Sequence, residues 1–265
     1  MQVTDKAYTE HQVFAELDRY AKFYERLAML VFPFVQMGTK AICNPDTYVY
    51  SSMQGTVESI KIILLAGRIN DAYALLRKYY DSAVINVYSN LYLKDNFSIE
   101  KEKFVVEEID NWILGKKKLP DYRVMSEYIR ASKTLKPIND LLYRDEKYKL
   151  LRDRCNNHTH YNFYRYVMLN DNEIHIKGGR GQFLERFRKD AQDIFLLHLG
   201  YVFFLNDHYM RSSDHLDALE CNMQPEENSQ YWVESFIQDI FHEVITPGCP
   251  DITAAIKANS AMQLS

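Results

Sequence analysis

Leu64-Leu65-Ala66-Gly67-Arg68-Ile69-Asn70-Asp71-Ala72-Tyr73-Ala74-Leu75-Leu76-Arg77-Lys78-Tyr79-Tyr80-Asp81 joins two apolar-periodic segments through a link of a few residues. Upstream, Asn44-Pro45-Asp46 is a strong helix start. The Asn side chain can cap free amides, Pro is preset for the first turn, and Asp suits the positive end of the dipole. The helix it opens carries Val49, Met53, Val57, Ile60 and Leu64 on one face and stops near Gly67. Downstream, Asp71 to Asp95 forms the next helix through Ala72, Leu75, Leu76, Tyr79, Ala83, Val87 and Leu91. So short a link makes the pair an antiparallel hairpin. Its second helix is apolar on most sides and is expected at the centre of the core. The fold class that follows is predominantly all-α.

Outward from the hairpin the same period recurs. Val13, Leu17, Tyr20, Tyr24, Leu27 and Val31 form one stripe from about Asp5 to Pro33, nearly heptad in spacing. Ser98, Glu100 and Glu102 predict a helix start, with Gly115 and Lys116-Lys117-Lys118 closing it; the lysines read as a helix end rather than a nucleic-acid patch. A shorter helix is expected from Asp121 to Leu135. Pro137 then opens one striped through Ile138, Leu141, Leu142, Tyr148, Leu151 and Cys155. Phe163 to Leu169, the turn Asn170-Asp171-Asn172 and Glu173-Ile174-His175-Ile176 predict a small β-hairpin insertion near 163–177. Gly178-Gly179-Arg180-Gly181 reads as a linker before a long helix from about Gln182 to Met210, on whose apolar stripe His198 is a core histidine. Short helices follow near Asp214–Cys221 and from Pro225 through Trp232, Phe236, Ile240 and Val244. No repeat or long linker appears, so a single helical domain is expected over 1–247, its core about 45–210, with 248–265 a loosely docked tail.

Hydrophobic residues are 47% and charged residues 26% of the 265, and the net charge is −4, which excludes a global cationic field for nucleic acid. Any RNA site must be a local pocket. Tyrosine is the outlier at 20, suiting amphipathic helix faces, an interface or a stacking surface. Cys43, Cys155, Cys221 and Cys249 are scattered, which points to free thiols in a reducing cytoplasm. The first residues show no basic-then-apolar signal pattern, and the longest apolar run, Ile194 to Leu205, is too short to cross a bilayer. A cytoplasmic chain without membrane contact is expected.

The chemistry concentrates in Leu150-Leu151-Arg152-Asp153-Arg154-Cys155-Asn156-Asn157-His158-Thr159-His160-Tyr161-Asn162. On a helix turning about 100° per residue, Arg152, Asn156 and His160 form one strip and Arg154 and His158 another, roughly 160° apart around the Leu151–Cys155 core line. If the helix ends at Asn157, His160 is released towards Arg154. Arginine can fork onto a phosphate, and histidine can move a proton to or from a ribose 2′-hydroxyl near neutral pH. Such a reaction needs no metal or other cofactor. Three plainer readings compete. The arginines can complement a helix C-terminus, the histidines can bond locally, and Cys155-x-x-His158-x-His160 with His175 can ligate a metal, although no second half-site supports that.

This stretch resembles the Arg-x(4–6)-His signature of the HEPN superfamily, in the register Arg152-x5-His158 or Arg154-x5-His160. The form Asn156-Asn157-x-x-His160-x-Asn162 is similar to an asparagine-rich branch. The hairpin stretch resembles the helix that precedes the motif in HEPN-like bacterial proteins, with Arg77 directed to the same pocket or paired at i, i+4 with Asp81. The resemblance spans about 45–210. It implies a homodimer whose two arginine–histidine sets face one cleft, cutting RNA through a 2′,3′-cyclic phosphate as a toxin or phage-defence effector, with an antitoxin or regulatory protein as partner. Arg154, His160, His158, Arg152 and Asn157 are the candidate catalytic residues, with Asn156 and Arg77 on the substrate. The alternative is a non-catalytic helical dimerisation, regulatory or nucleotide-binding module.

Overall fold

The computed structural model describes residues 2–170, 179–223 and 232–264, and the protein is all-α. In chain order come α1 (Lys6–Thr9), α2 (Gln12–Val31), α3 (Asp46–Leu65), α4 (Ile69–Asn96), α5 (Glu107–Ile113), α6 (Tyr122–Ala131), α7 (Lys136–Leu142) and α8 (Lys147–Thr159). The single turn α9 (Tyr164–Val167) leads to α10 (Arg180–Leu205), a 3-10 turn at Asp207–Met210 and α11 (Ser213–Glu220). The chain closes with α12 (Ser235–Ile240), a π turn at Phe241–Ile245, α13 (Thr246–Gly248) and α14 (Pro250–Asn259). Among the described residues, extended pairing is confined to isolated bridges such as Ser98 with Lys103. None of the described helices is long and apolar enough to cross a membrane.

The contacts divide the chain into two compact units. The first comprises Met1–Phe34, Cys43–Asn86 and Asp145–Phe195. Here the predicted hairpin opens on an Asx turn in which Asn44 Oδ1 accepts the Asp46 amide at 3.0 Å. It turns at Gly67, whose φ of +73° lets Gly67 N–H reach Leu64 O and Arg68 N–H reach Ile63 O, so the carbonyls at the end of α3 are satisfied. The whole α2 stripe from Val13 to Val31 is buried, as are Ile69, Ala72, Tyr73, Leu76, Tyr79 and Ala83 of α4. Each buried Val, Leu or Ile among them contributes roughly 1.5–3 kcal/mol. Three of the buried tyrosines keep their hydroxyls paired inside: Tyr24 and Tyr79 share a bond of 2.8 Å, and Tyr8 donates to Leu64 O at 2.5 Å.

The second unit comprises Val35–Ile42, Val87–Arg144 and Leu196–Ser265. Asn139 ties three helices together, donating to Ile129 O at 2.9 Å and accepting from Tyr201 OH at 2.6 Å. His198 is fully buried, and burial lowers its pKa to about 3, the behaviour of a neutral core histidine.

Several expected elements differ. Residues 98–105 are not helical: Ser98 and Lys103 exchange backbone bonds, Glu102 is left-handed (φ +54°), and Ile99 and Phe104 are exposed, so no apolar face rewards a helix there. The helix from Asp121 stops at Ala131. The stripe from Ile138 to Cys155 is two helices, α7 and α8, interrupted at 143–146 and assigned to different units. The first arm of the expected β-hairpin contains the helical turn α9, and its return arm, Glu173–Ile176, lies outside the described residues, as does Pro225-Glu226-Glu227. Arg180 is the first residue of α10 instead of part of a linker. The expected loose tail carries α14, because Ile252 and Ile256, at i and i+4, give it a face to bury.

Candidate functional site

The site is built on α8, which packs Tyr148, Leu151, Cys155 and His158 inward. Burial pushes the Cys155 thiol up to about 12, with Asp190 adding to it, so it stays protonated. The polar residues leave the helix on two flanks, and the two are chemically unlike.

On the first flank Arg154 forks onto Asp190. Its Nε donates to Oδ2 at 2.9 Å, Nη2 donates to Oδ1, and Tyr73 OH donates to Oδ2 at 3.2 Å. The Asp190 side chain is 1% exposed. Burial alone works against both charges, but an arginine is not deprotonated in a protein. Asp190 therefore holds Arg154 above its ordinary value, and the two form an ion pair whose carboxylate is buried while the guanidinium, 26% exposed, reaches towards solvent. One turn on, His158 is 2% exposed. Its ring lies on Tyr73 (centroids 3.9 Å apart, 9° between planes) and against Tyr166 at 4.1 Å. Its Nδ1 donates to Asn70 Oδ1 at 2.7 Å, with the amide oriented by Asn70 Nδ2 donating to Tyr166 O at 2.5 Å. Burial, reinforced by Arg165 and Arg154, lowers the His158 pKa to about 4. It is a neutral, packed imidazole at pH 7, without the access a general acid or base needs.

On the second flank two guanidiniums converge. Arg77 Nε donates to both oxygens of Asp81, at 3.2 and 3.0 Å, and its Nη1 donates to Asn156 Oδ1. Arg152 Nη1 donates to Asp81 Oδ1 at 2.7 Å. Asp81 is 34% exposed against 1% for Asp190, so the flanks differ in their carboxylates and not in their guanidiniums, Arg152 being 19% and Arg154 26% exposed. His160, the residue that follows α8, is exposed, its amide donating to Asn156 O at 3.0 Å.

Helix α8 does not end at Asn157. It runs to Thr159 and closes in a Schellman turn: Asn162 N–H reaches Asn157 O, Tyr161 N–H reaches His158 O, and Tyr161 takes the left-handed position at φ +50°. Asn157 Oδ1 accepts from Asn162 Nδ2 at 2.9 Å, locking the turn. His160 is consequently not released to Arg154, which stays on the Asp190 side. Of the sequence candidates, Arg77, Arg152 and Asn156 are brought together with His160 beyond them, Arg154 and His158 form the other set, and Asn157 serves the cap. Tyr161, Phe163 and Tyr164 are exposed around this end, with the Arg165 guanidinium 5.4 Å from the Phe163 ring centre.

Cys155 and His158 are committed to packing, and His175 lies outside the described residues. Among the described residues no group of three or more His, Cys, Asp or Glu is placed to hold a metal ion. Sequence reasoning missed Asp190, Asn70, Tyr73 and Tyr166. Asp190 follows the run Arg186-Phe187-Arg188-Lys189, and its burial is set only by how α10 packs. Comparison with protein-family models, with characterised proteins and with solved structures gave no significant match to this chain.

Proposed function

We propose that this chain is an HEPN-like, metal-independent endoribonuclease that works from the Arg77–Arg152–Asn156–His160 flank of α8. The observation that carries the reading is the convergence of two guanidiniums beside Asn156, with an exposed histidine at the end of the same helix. Arg77 and Arg152 bind the phosphodiester, exchanging Asp81 for phosphate oxygens. His160 moves a proton between the 2′-hydroxyl or the leaving 5′-oxygen and solvent, so the 2′-oxygen attacks phosphorus and the 5′-oxygen departs, leaving a 2′,3′-cyclic phosphate. Asn156 orients Arg77. Arg154 and His158 are positioning residues, since Asp190, Tyr73 and Asn70 hold them. The same reading carries a cytoplasmic homodimer, a second copy supplying the other histidine, and a protein that restrains it.

The test is the full chain incubated with mixed RNA in EDTA. Cleavage to cyclic-phosphate ends is expected, with a loss of about 10²–10⁴-fold in His160→Ala at unchanged melting temperature. RNA left intact with and without divalent ions, together with His160→Ala as harmless in cells as the parent, overturns it. A non-catalytic helical module is the second reading, favoured by Asp81 already accepting from both arginines. RNA that binds in a salt-dependent way without being cut decides for that one.

A further inference from the structure

Directly after α8 the chain puts three aromatic rings at the surface within four positions. Tyr161 is 46%, Phe163 50% and Tyr164 75% exposed. Rings of this size are ordinarily buried, and a cluster left in water marks a contact surface. The exposure does not come from a slack chain. Asn162 Nδ2 donates to Asn157 Oδ1 at 2.9 Å, and Tyr166 N–H donates to Phe163 O at 2.9 Å. From α4, Asn70 Nδ2 donates to Tyr166 O at 2.5 Å and Asn70 N–H donates to Asn170 Oδ1 at 3.1 Å. The segment is therefore tied down at both ends. Of its four aromatic residues between 161 and 166, Tyr166 is the one that turns inward, onto His158.

Charge narrows the class of partner. From 154 to 170 the sequence holds two arginines, two histidines and no aspartate or glutamate, in a chain whose net charge is −4. Arg154 and His158 are engaged by Asp190 and Asn70, which leaves Arg165 and His160 at the surface. The Arg165 guanidinium lies 5.4 Å from the Phe163 ring centre and 4.9 Å from that of Tyr166, and its Nη2 donates to Tyr166 OH at 2.9 Å. A planar cation is thus ordered beside an exposed ring before anything binds. Unpaired nucleotides stack on such faces while their phosphates meet the arginine. A duplex cannot use them in this way, because its bases are already stacked on one another.

We propose that Phe163 and Tyr164 stack unpaired bases of an RNA strand, with Arg165 on a neighbouring phosphate. The proposal rests on the nuclease reading for the identity of the polymer. The probe is a fluorescein-labelled 2′-O-methyl oligonucleotide of about 12 nucleotides, which lacks the attacking hydroxyl and so reports binding without cleavage. It is titrated into the full chain by fluorescence anisotropy beside its duplex and beside an abasic strand with the same phosphates. The single strand is expected to bind at least about 10-fold tighter than either. Phe163→Ala and Tyr164→Ala should each weaken it about 10-fold and leave the abasic strand unchanged, while Phe163→Trp keeps full affinity. If Phe163→Ala melts early, Tyr164→Ala carries the test. No saturable binding, equal affinity for the duplex or the abasic strand, or folded alanine variants that bind as the parent does overturn the platform. A change of oligomeric state in the double alanine variant without oligonucleotide overturns it too, since a second copy then covers the rings. Base-dependent binding with natural RNA left uncut overturns the nuclease reading and keeps the platform. Cleavage of natural RNA with KM unchanged in both alanine variants does the reverse.

Discussion

The two flanks of α8 start from the same residue types and reach opposite states. Arg154 and His158 have one buried partner each for their strongest groups, Asp190 and Asn70, and an aromatic wall beside them. Arg77 and Arg152 share one half-exposed carboxylate, and His160 is left at the surface. The difference teaches what an arginine–histidine motif needs before it can be read as a site. A guanidinium forked onto a carboxylate that is 1% exposed is tied to the core through that carboxylate, because separating the two strands a charge. A guanidinium sharing a carboxylate at the solvent edge loses little when a phosphate replaces that partner.

Breaking the buried flank gives the largest effect. Asp190→Ala leaves Arg154 without its fork and Tyr73 OH without its acceptor, and should destabilise the protein by roughly 3–5 kcal/mol in urea unfolding. An effect below about 1 kcal/mol would place Arg154 in the same class as Arg152 and erase the distinction.

The acid response of His158 sharpens the same contrast. Its folded pKa of about 4 lies below its ordinary 6.5, so the unfolded chain takes up the proton first. The stability it contributes is fully present above pH 6.5, is lost progressively as pH falls towards 4, and changes no further below that. The loss approaches about 3 kcal/mol. His198 acts in the same sense, so the informative quantity is the difference between the wild type and His158→Phe, which keeps the ring stack. Denaturant unfolding at pH 7 and pH 4 should show a shallower fall in the variant. Parallel falls would mean that His158 titrates freely.

At the solvent edge the expected changes shrink. Asp81→Ala should cost less than Asp190→Ala, roughly 1–2 kcal/mol, since the carboxylate it removes is 34% exposed against 1%. It should also raise affinity for inorganic phosphate, measured by calorimetry at two salt concentrations. Unchanged affinity would count against phosphate binding by Arg77 and Arg152.

Much of this was legible in the residues. Gly67 with the apolar runs on either side dictates the α3–α4 turn, and helical spacing separates Arg152 and Asn156 from Arg154 and His158. What decides their fates lies far away in sequence. Asp190 is one of 36 acidic residues, and nothing local marks it as the one that becomes buried. The pairing of Arg77 with Asp81 is readable at i, i+4, whereas the arrival of Arg152 on the same carboxylate depends on how α8 lies on α4. Ser98-x-Glu100 looks like a helix start, but with Ile99 and Phe104 exposed there is no packing to support one.

The end of α8 is the subtlest case, and the smallest effect tests it. A Schellman turn places its C′ residue in the left-handed region, where glycine is usual, and here Tyr161 occupies it. A side chain there costs about 1–2 kcal/mol in sterics, while glycine costs about 0.5–1 kcal/mol in unfolded-state entropy. Tyr161→Gly should therefore stabilise the protein slightly, by about 0.5–1 kcal/mol, because the exposed ring gives up little burial. The same change removes one of three exposed aromatic rings beside His160. If Tyr161 is there for the surface, the variant will melt higher yet bind or cut RNA less well. If both properties improve together, the ring is incidental to the site, and the open flank is defined by Arg77, Arg152, Asn156 and His160 alone.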